Sequence, residues 1–146
     1  MKFYLASSFD LVDKVEKVSK SIEGYGHSIT VKWWSRVYDI PNEGKVKTTI
    51  LKKRYEKLDP DEFYNRPETR RSYLDDFKGV VNADVFIFVA DETPRKYNGA
   101  NVELGIALAN NIMCFSIGNL ETSPLYYDVL KRNSIEDILK ELFNGG

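Results

Sequence analysis

Four short apolar runs alternate with helix-like segments, and this alternation constrains the fold more than any other feature of the sequence. The runs cover residues 3–6, 29–31, 85–90 and 112–117, and they are rich in β-branched and aromatic side chains. Continuous apolar runs of this length are typical of parallel strands that are covered on both faces. The sequence therefore predicts an α/β fold, a single-domain, doubly wound parallel sheet of the flavodoxin-like or Rossmann-like type with about five strands.

Helical spacing joins these runs. Apolar residues recur at helical intervals from Leu11 to Ile22, and Asp10 is placed to cap the start of this helix. The same spacing recurs over residues 67–82 and, after a glycine, over residues 99–109. Each of these segments is long enough to connect two parallel strands by crossing over the sheet.

The C-terminal part of the chain predicts one more strand and one more helix. Residues 127–130 are the candidate for a fifth strand at the edge of the sheet. Ser134 followed by Asp137 resembles a capping box at the start of a last amphipathic helix. We expect the strand order 2-1-3-4-5, with ligands bound at the carboxyl ends of the strands.

Residues 33–66 are too long for a simple connection, and we interpret them as an insertion near the site within one domain that covers residues 1–146. A helix is predicted over residues 46–58. Trp33 and Trp34 are adjacent, so on a strand they would face opposite sides, and one could lie in the core while the other covers a pocket or stacks on a base. Packing in the core is the favoured interpretation.

The composition limits the available chemistry. His27 and Cys114 are the only residues of their types, which rules out zinc sites built from cysteine and histidine, a CxxC redox pair and an internal disulfide. Catalysis would then depend on carboxylates, hydroxyls and phenols, and we predict no metal and no cofactor. The 21 basic and 22 acidic residues give a net charge of −1, which argues against a nucleic-acid-binding protein.

Two further features concern location. No segment approaches the roughly 18 consecutive apolar residues of a membrane span. The first residues, Met-Lys-Phe-Tyr-Leu-Ala-Ser-Ser, lack the long apolar run of a signal peptide. With a single thiol as well, we expect a cytoplasmic protein with no membrane partner.

One carboxylate interrupts the most apolar helix of the chain. Glu103 lies within residues 99–109, which are apolar nearly all round and are therefore expected to be buried. The positive end of the helix dipole favours its ionised form, which suits a nucleophile or a general base. The alternative is a glutamate that only satisfies backbone N–H groups at the helix start. Because an unpaired buried carboxylate is costly, we favour a functional role.

Asp76 is a second unusual carboxylate, since on a helix it shares a face with Tyr73 and Val80. On an inward face its pKa would be raised, and it could hold a proton as a general acid. The alternative is a surface ion pair with a cation of the same helix: Arg70, Arg71 or Lys78. One ionised and one protonated carboxyl group form the pattern that cleaves glycosidic bonds.

Three patches of sequence carry a family resemblance. Residues 3–9 read FYLASSF, residues 76–84 read DFKGVVNAD, and residues 99–107 read GANVELGIA. Together they resemble the nucleoside 2-deoxyribosyltransferase family and its relatives that hydrolyse deoxynucleoside 5′-monophosphates. The third patch is similar to the Gly-x-x-x-Glu-x-Gly-x-Ala signature of that family.

The resemblance implies cleavage or transfer at the N-glycosidic bond of 2-deoxynucleosides or their 5′-monophosphates. It makes Glu103 the nucleophile that forms a covalent glycosyl intermediate, Asp76 the group that assists the leaving base, and Tyr4 the group that orients the nucleophile. It also implies a homo-oligomer, a dimer or larger, in which a loop at residues 118–123 completes the neighbouring site. The predicted substrate-binding residues are Ser7, Ser8, Phe9, Asp91, Gly99 and Asn101.

The sequence departs from the family pattern at two positions. Family transferases often have a second glycine where this chain has Asn101, and an aspartate where it has Tyr97. These departures favour hydrolysis or an altered substrate. Two other functions remain open, a non-catalytic nucleotide-binding or sensing module and a glycosidase that cleaves NAD.

Overall fold

A five-stranded parallel sheet forms the centre of the molecule. The computed structural model describes residues 1–40, 44–47, 67–93 and 95–144. The strands of the sheet, in chain order, are β1 (Lys2–Ala6), β2 (Ser28–Ile29), β5 (Val85–Val89), β6 (Met113–Ile117) and β7 (Leu130–Arg132). A separate antiparallel hairpin consists of β3 (Val37–Ile40) and β4 (Gly44–Lys47). The sheet order β2-β1-β5-β6-β7 confirms the predicted α/β fold and its 2-1-3-4-5 arrangement.

In the described ranges, four helices pack on this sheet in two pairs. They are α1 (Val12–Gly24), α2 (Pro67–Val81), α3 (Asn98–Ala109) and α4 (Ile135–Phe143). α1 contacts α4, and α2 contacts α3. The crossovers through α1 and α3 run in opposite directions along the sheet, so right-handed connections place these helices on opposite faces. None of the helices in the described ranges is long and apolar enough to cross a membrane.

The central strands supply most of the core. All five residues of β5 are buried, as are four of the five in β1 and in β6. Apolar residues on both faces of these strands explain why their sequences read as continuous apolar runs rather than as alternating patterns. The sheet therefore places Tyr4, near the middle of β1, in a fully buried position.

The predicted helix over residues 46–58 is wrong at its start, because Val46 and Lys47 lie in β4; the remainder of that prediction lies outside the described residues. In β4, Val46 is buried while its neighbours are exposed, and it pairs with Tyr38 across the hairpin. A polar–apolar–polar alternation is the period of a strand, and here it overrides the helix-forming lysines.

Trp33 and Trp34 do not extend the second strand. β2 ends at Ile29, and both indoles lie in the 3-10 turn Trp33–Ser35. Because such a turn has about three residues per turn, adjacent side chains do not alternate between opposite sides, and both tryptophans are buried. The Nε1–H of Trp33 donates to the carbonyl oxygen of Leu5 over 2.7 Å, which gives the buried indole its partner.

The cap of the first helix also differs from the prediction, whereas that of the last helix is confirmed. The hydroxyl oxygen of Ser8 accepts the N–H of Asp10 over 3.3 Å and starts a 3-10 turn, so α1 begins only at Val12 and Asp10 is not its cap. At α4 the hydroxyl oxygen of Ser134 accepts the N–H of Asp137 over 3.2 Å, as predicted.

The edge strand lies later than residues 127–130. Ser123 and Pro124 start a 3-10 turn in which the serine hydroxyl oxygen accepts the N–H of Leu125 over 3.2 Å. A proline at the first position of a helical turn has a suitable fixed φ, so this turn competes successfully with strand formation. Tyr127 follows the turn and is 88% exposed, and β7 starts only at Leu130.

The change Gly118→Ala is expected to destabilise the fold. Gly118 has a φ of +88°, and a Cβ there would overlap the carbonyl oxygen of Ala90 at the adjoining strand end. Strain of this kind costs on the order of 1–3 kcal/mol. Chemical denaturation should show this loss. Gly24→Ala, at a helical position with no atom near the added Cβ, is the matched control and should leave stability equal or slightly higher; equal effects of both changes would contradict the packing described.

Candidate active site

Glu103 and Tyr4 meet where α3 approaches the sheet. The phenol O–H of Tyr4 donates a hydrogen bond to Oε2 of Glu103. The Tyr4 ring is fully buried and stacks on Phe86 with 5.8 Å between the ring centroids. Glu103 itself remains partly exposed. Its carboxyl group is therefore held by a buried phenol in a residue that is not fully enclosed.

A close approach of α2 holds Tyr4 from another side. Gly79 on α2 lies so near to β1 that a Cβ would be 3.3 Å from Cδ2 of Tyr4 and would overlap the side chain of Val31. A larger residue would have to displace one of these neighbours. The glycine thus lets α2 pack directly on the tyrosine that binds Glu103.

Asp76 faces inward from α2, but its partner is not one of the cations expected. Nη2 of Arg36 lies 2.7 Å from Oδ1 of Asp76, and the two side chains are only 20% and 15% exposed. The sequence predicted either an inward Asp76 or a surface ion pair. The structure combines the two, because Asp76 faces inward and is also bound to a cation. Arg36 is the residue that links the turn Trp33–Ser35 to β3.

Burial raises the pKa of both carboxyl groups. At Glu103 desolvation is the largest cause, the hydrogen bond from Tyr4 opposes it, the charge of Asp76 adds to it, and the pKa reaches about 8. At Asp76 desolvation also raises the pKa, while the hydrogen bond and charge of Arg36 lower it. The pKa of Tyr4 is raised by its burial and by Glu103, so the phenol remains protonated. The site therefore contains two carboxyl groups with different proton affinities.

Carboxyl, phenol and guanidinium groups of this kind support nucleophilic and acid–base chemistry. In the described part of the chain, no group of three or more His, Cys, Asp and Glu side chains could hold a metal ion.

Four of the predicted substrate-binding residues lie at the carboxyl ends of β1 and β5, where the strand order places the ligand crevice. The Ser7 hydroxyl donates to the carbonyl oxygen of Val89 over 2.6 Å, and Ser8 caps the turn that follows it. Phe9 is 40% exposed, and the Asp91 carboxylate accepts the N–H of the next residue. The structure brings these residues to one edge, and their contact with substrate stays a prediction.

The two positions that depart from the family pattern have partners within the chain. The Asn101 side-chain oxygen accepts the O–H of Tyr126 over 2.8 Å, and the Tyr97 hydroxyl oxygen accepts the N–H of Asp91, also over 2.8 Å. Gly99 has open space where a Cβ would lie. Asn101 and Tyr97 thus tie neighbouring loops to the start of α3.

The prediction that α3 is buried on all sides is wrong. Leu104 and Ala107 face the core, but Val102 is 55% exposed, and Gly105 and Ala109 are also exposed. Only one side of α3 packs on the sheet, and α2 covers a second. The remaining face of α3 is apolar and exposed to solvent in the single chain.

The residue that sequence reasoning missed is Arg36. It lies 40 positions from Asp76, in a segment without helical or strand periodicity, so no local pattern pairs the two. The signal that could have identified Arg36 is the pair of adjacent tryptophans. Because Trp33 and Trp34 are large and buried, they can draw a neighbouring arginine towards the interior.

Comparisons with known proteins agree with this fold. No protein-family model matches the sequence, and a search of curated proteins finds no match. Among solved structures, the chain is similar to a 2-deoxyribosyltransferase from the psychrotolerant bacterium Bacillus psychrosaccharolyticus, with a TM-score of 0.58 and 20% sequence identity. The match covers 99% of this chain and 95% of that chain. The fold is thus that of a 2-deoxyribosyltransferase, the same family that the three sequence patches resemble.

The raised pKa of Glu103 predicts a pH-dependent stability. A carboxyl group whose folded pKa is about 8, against 4.5 ordinarily, favours the folded state below pH 4.5 and loses that contribution as pH rises through about 8. Glu103→Gln cannot ionise. The melting temperature of the variant minus that of the wild type should therefore be larger at about pH 9 than at about pH 5. Glu136→Gln, at an exposed position of α4, is the control. A Glu103→Gln difference that does not grow with pH would contradict the burial of this carboxyl group.

Proposed function

We propose that the protein cleaves or transfers the N-glycosidic bond of 2-deoxynucleosides or their 5′-monophosphates, with Glu103 as nucleophile. The observation that supports this most directly is the hydrogen bond from the buried Tyr4 to the carboxyl group of Glu103, a residue that is itself partly exposed. Asp76 supplies a second carboxyl group with a different environment. The fold shared with a 2-deoxyribosyltransferase gives the pair a plausible substrate class.

In the first step, an oxygen of the ionised Glu103 bonds to the anomeric carbon of the sugar. The bond to the base nitrogen breaks, and its electron pair leaves with the base, which takes the proton of the Asp76 carboxyl group. Tyr4 keeps its proton and holds the attacking carboxylate in one orientation. A glycosyl ester on Glu103 and an ionised Asp76 result.

In the second step, the ester is released by an acceptor. Water attacks the anomeric carbon and gives its proton to Asp76, which restores the ionised Glu103 and the protonated Asp76 that begin the first step. A second base would act in the same way in a transferase. Because Asn101 and Tyr97 are engaged in contacts within the chain, we favour water as the acceptor.

The change Glu103→Ala should abolish base release, lowering kcat/KM by on the order of 10⁴-fold for a group that forms the covalent bond. Base release is measured by chromatography on a panel of deoxynucleosides and deoxynucleoside 5′-monophosphates, with and without an added free base. Glu136→Ala, which removes an exposed glutamate on α4, is the control and should retain wild-type rates.

The product pattern separates the possible functions. Free base alone identifies a hydrolase, and new nucleosides identify a transferase. Ligand-dependent thermal stabilisation without turnover would contradict the enzyme assignment in favour of a nucleotide-binding module, and nicotinamide release from NAD alone would indicate an NAD glycosidase. Retained activity in Glu103→Ala would contradict the assignment of Glu103 as the nucleophile.

We also propose that a second copy of the chain covers the exposed apolar face formed by α2 and α3. Leu74 and Val81 on α2 are more than half exposed, and Val102 on the adjoining α3 is 55% exposed. Gly105 and Ala109 continue the face on α3 with small residues that permit close approach of another helix. A charged solvent face is normal for a helix of a monomer, so the apolar exposed face of α3 favours an interface between copies.

The change Val102→Glu should therefore lower the oligomer mass, because a carboxylate at the centre of an apolar interface is costly to bury. Light scattering after size exclusion measures it, with Tyr25→Glu at the exposed end of α1 as the control. A wild-type protein that is monomeric at high concentration would contradict the proposal, as would equal effects of the two changes.

A further inference from the structure

The inserted segment places a cation in the site. Arg36 directs its guanidinium to both oxygens of Asp76, with Nη2 2.7 Å from Oδ1 and Nη1 3.5 Å from Oδ2. Both side chains are largely withdrawn from water, at 20% and 15% exposure. A two-point contact of this kind is far more restrictive than a surface ion pair.

Two hydrogen bonds fix the segment that carries this arginine. On one side, Trp33 donates to the carbonyl oxygen of Leu5, which follows Tyr4 on β1. On the other, the hydroxyls of Tyr38 and Ser72 lie 2.7 Å apart and join β3 to α2, one turn before Asp76. The segment is thus anchored to β1, which carries Tyr4, and to α2, which carries Asp76. These two contacts fix the position of the Arg36 guanidinium relative to β1 and α2.

We infer that Arg36 is a positioning residue, which holds Asp76 ionised in the ligand-free protein so that the proton shared by the two carboxyl groups lies on Glu103. The inference rests on the proposed roles of these carboxyl groups. A guanidinium in contact with one carboxylate favours its charged form, and the other carboxyl group then retains the proton because two adjacent negative charges repel each other.

The surroundings support this distribution of charge. The hydrogen bond and charge of Arg36 oppose the rise that burial causes in the pKa of Asp76. Glu103 receives only a more distant charge effect from Arg36, and its pKa reaches about 8. The titratable groups that face this site from the packed elements of the described chain are Tyr4, Arg36, Tyr38, Asp75, Asp76 and Glu103.

The consequence for the reaction is a proton transfer that precedes bond cleavage. Glu103 gives up its proton and becomes the nucleophile, and Asp76 takes up a proton that it then donates to the leaving base, so the net charge of the pair is unchanged. Arg36 sets the cost of moving this proton. Without the guanidinium, the pKa of each carboxyl group rises, because both lose a positive charge that favours ionisation.

The test compares Arg36→Met, which removes the charge, with Arg36→Lys, which keeps it. In a pH profile of kcat/KM for base release, both limbs should move to higher pH in Arg36→Met, by about one pH unit or more for the loss of an adjacent opposite charge. Arg36→Lys should shift the profile less. Arg132→Met, which breaks the more exposed pair with Glu141, is the matched control and should reproduce the wild-type profile.

A second measurement does not depend on activity. Carbon-13 NMR of labelled aspartate and glutamate carboxyl groups follows Asp76 and Glu103 directly, and Asp76 should titrate at higher pH in Arg36→Met than in the wild type. A folded Arg36→Met protein in which the titration of Asp76 is unchanged would overturn the role of Arg36. If the titration moves but no deoxynucleoside or deoxynucleotide is cleaved by the wild type, the inference stands and the proposed function fails.

Discussion

The carboxyl group of Glu103 is largely desolvated on a helix that has few polar side chains. The arrangement of the other site residues depends on this burial. In the part of the chain that the structure describes, no ion pair forms with it, and the Tyr4 hydroxyl is its hydrogen-bond donor. Desolvation therefore dominates and raises its pKa to about 8. A desolvated carboxyl group of this kind is a good nucleophile once it ionises, because few solvent molecules stabilise its negative charge.

The surrounding elements pack closely on Tyr4, the hydrogen-bond donor to Glu103. Gly79 allows α2 to approach Tyr4, and the stacking of Tyr4 on Phe86 leaves its hydroxyl little freedom. Preorganised donors of this kind need no rearrangement when charge develops in a reaction. Residues 33–38 contribute to the site, because they place Arg36 beside Asp76 on α2.

Much of the fold could be predicted from sequence because its signals are local. Apolar runs in β1, β5 and β6 gave strand positions to within about one residue, and the isolated carboxylate at position 103 stood out against its apolar neighbours. The errors arose where one signal competed with another. The Ser123–Pro124 turn displaced the expected edge strand, and the alternating residues around Val46 formed a strand in place of a helix.

Other parts of the site could not be predicted, because they depend on contacts between distant parts of the chain. No pattern along the sequence links Arg36 to Asp76, or the indole of Trp33 to the backbone of Leu5. The exposed face of α3 is a further case, since apolar character alone does not say whether a helix is covered by its own chain or by another. Periodicity identifies faces, and only the tertiary structure shows what each face meets.

The most direct measurement is the mass of the protein in a turnover mixture that is quenched with acid and then digested for peptide mapping. A retaining mechanism predicts a deoxyribosyl group bound to the peptide that contains Glu103, formed with 2-deoxynucleoside or 5′-monophosphate substrate and absent from Glu103→Gln. Base release with the sugar attached to another carboxyl group, or with no attachment to Glu103 under conditions that preserve the ester, would contradict the assignment of Glu103 as the nucleophile.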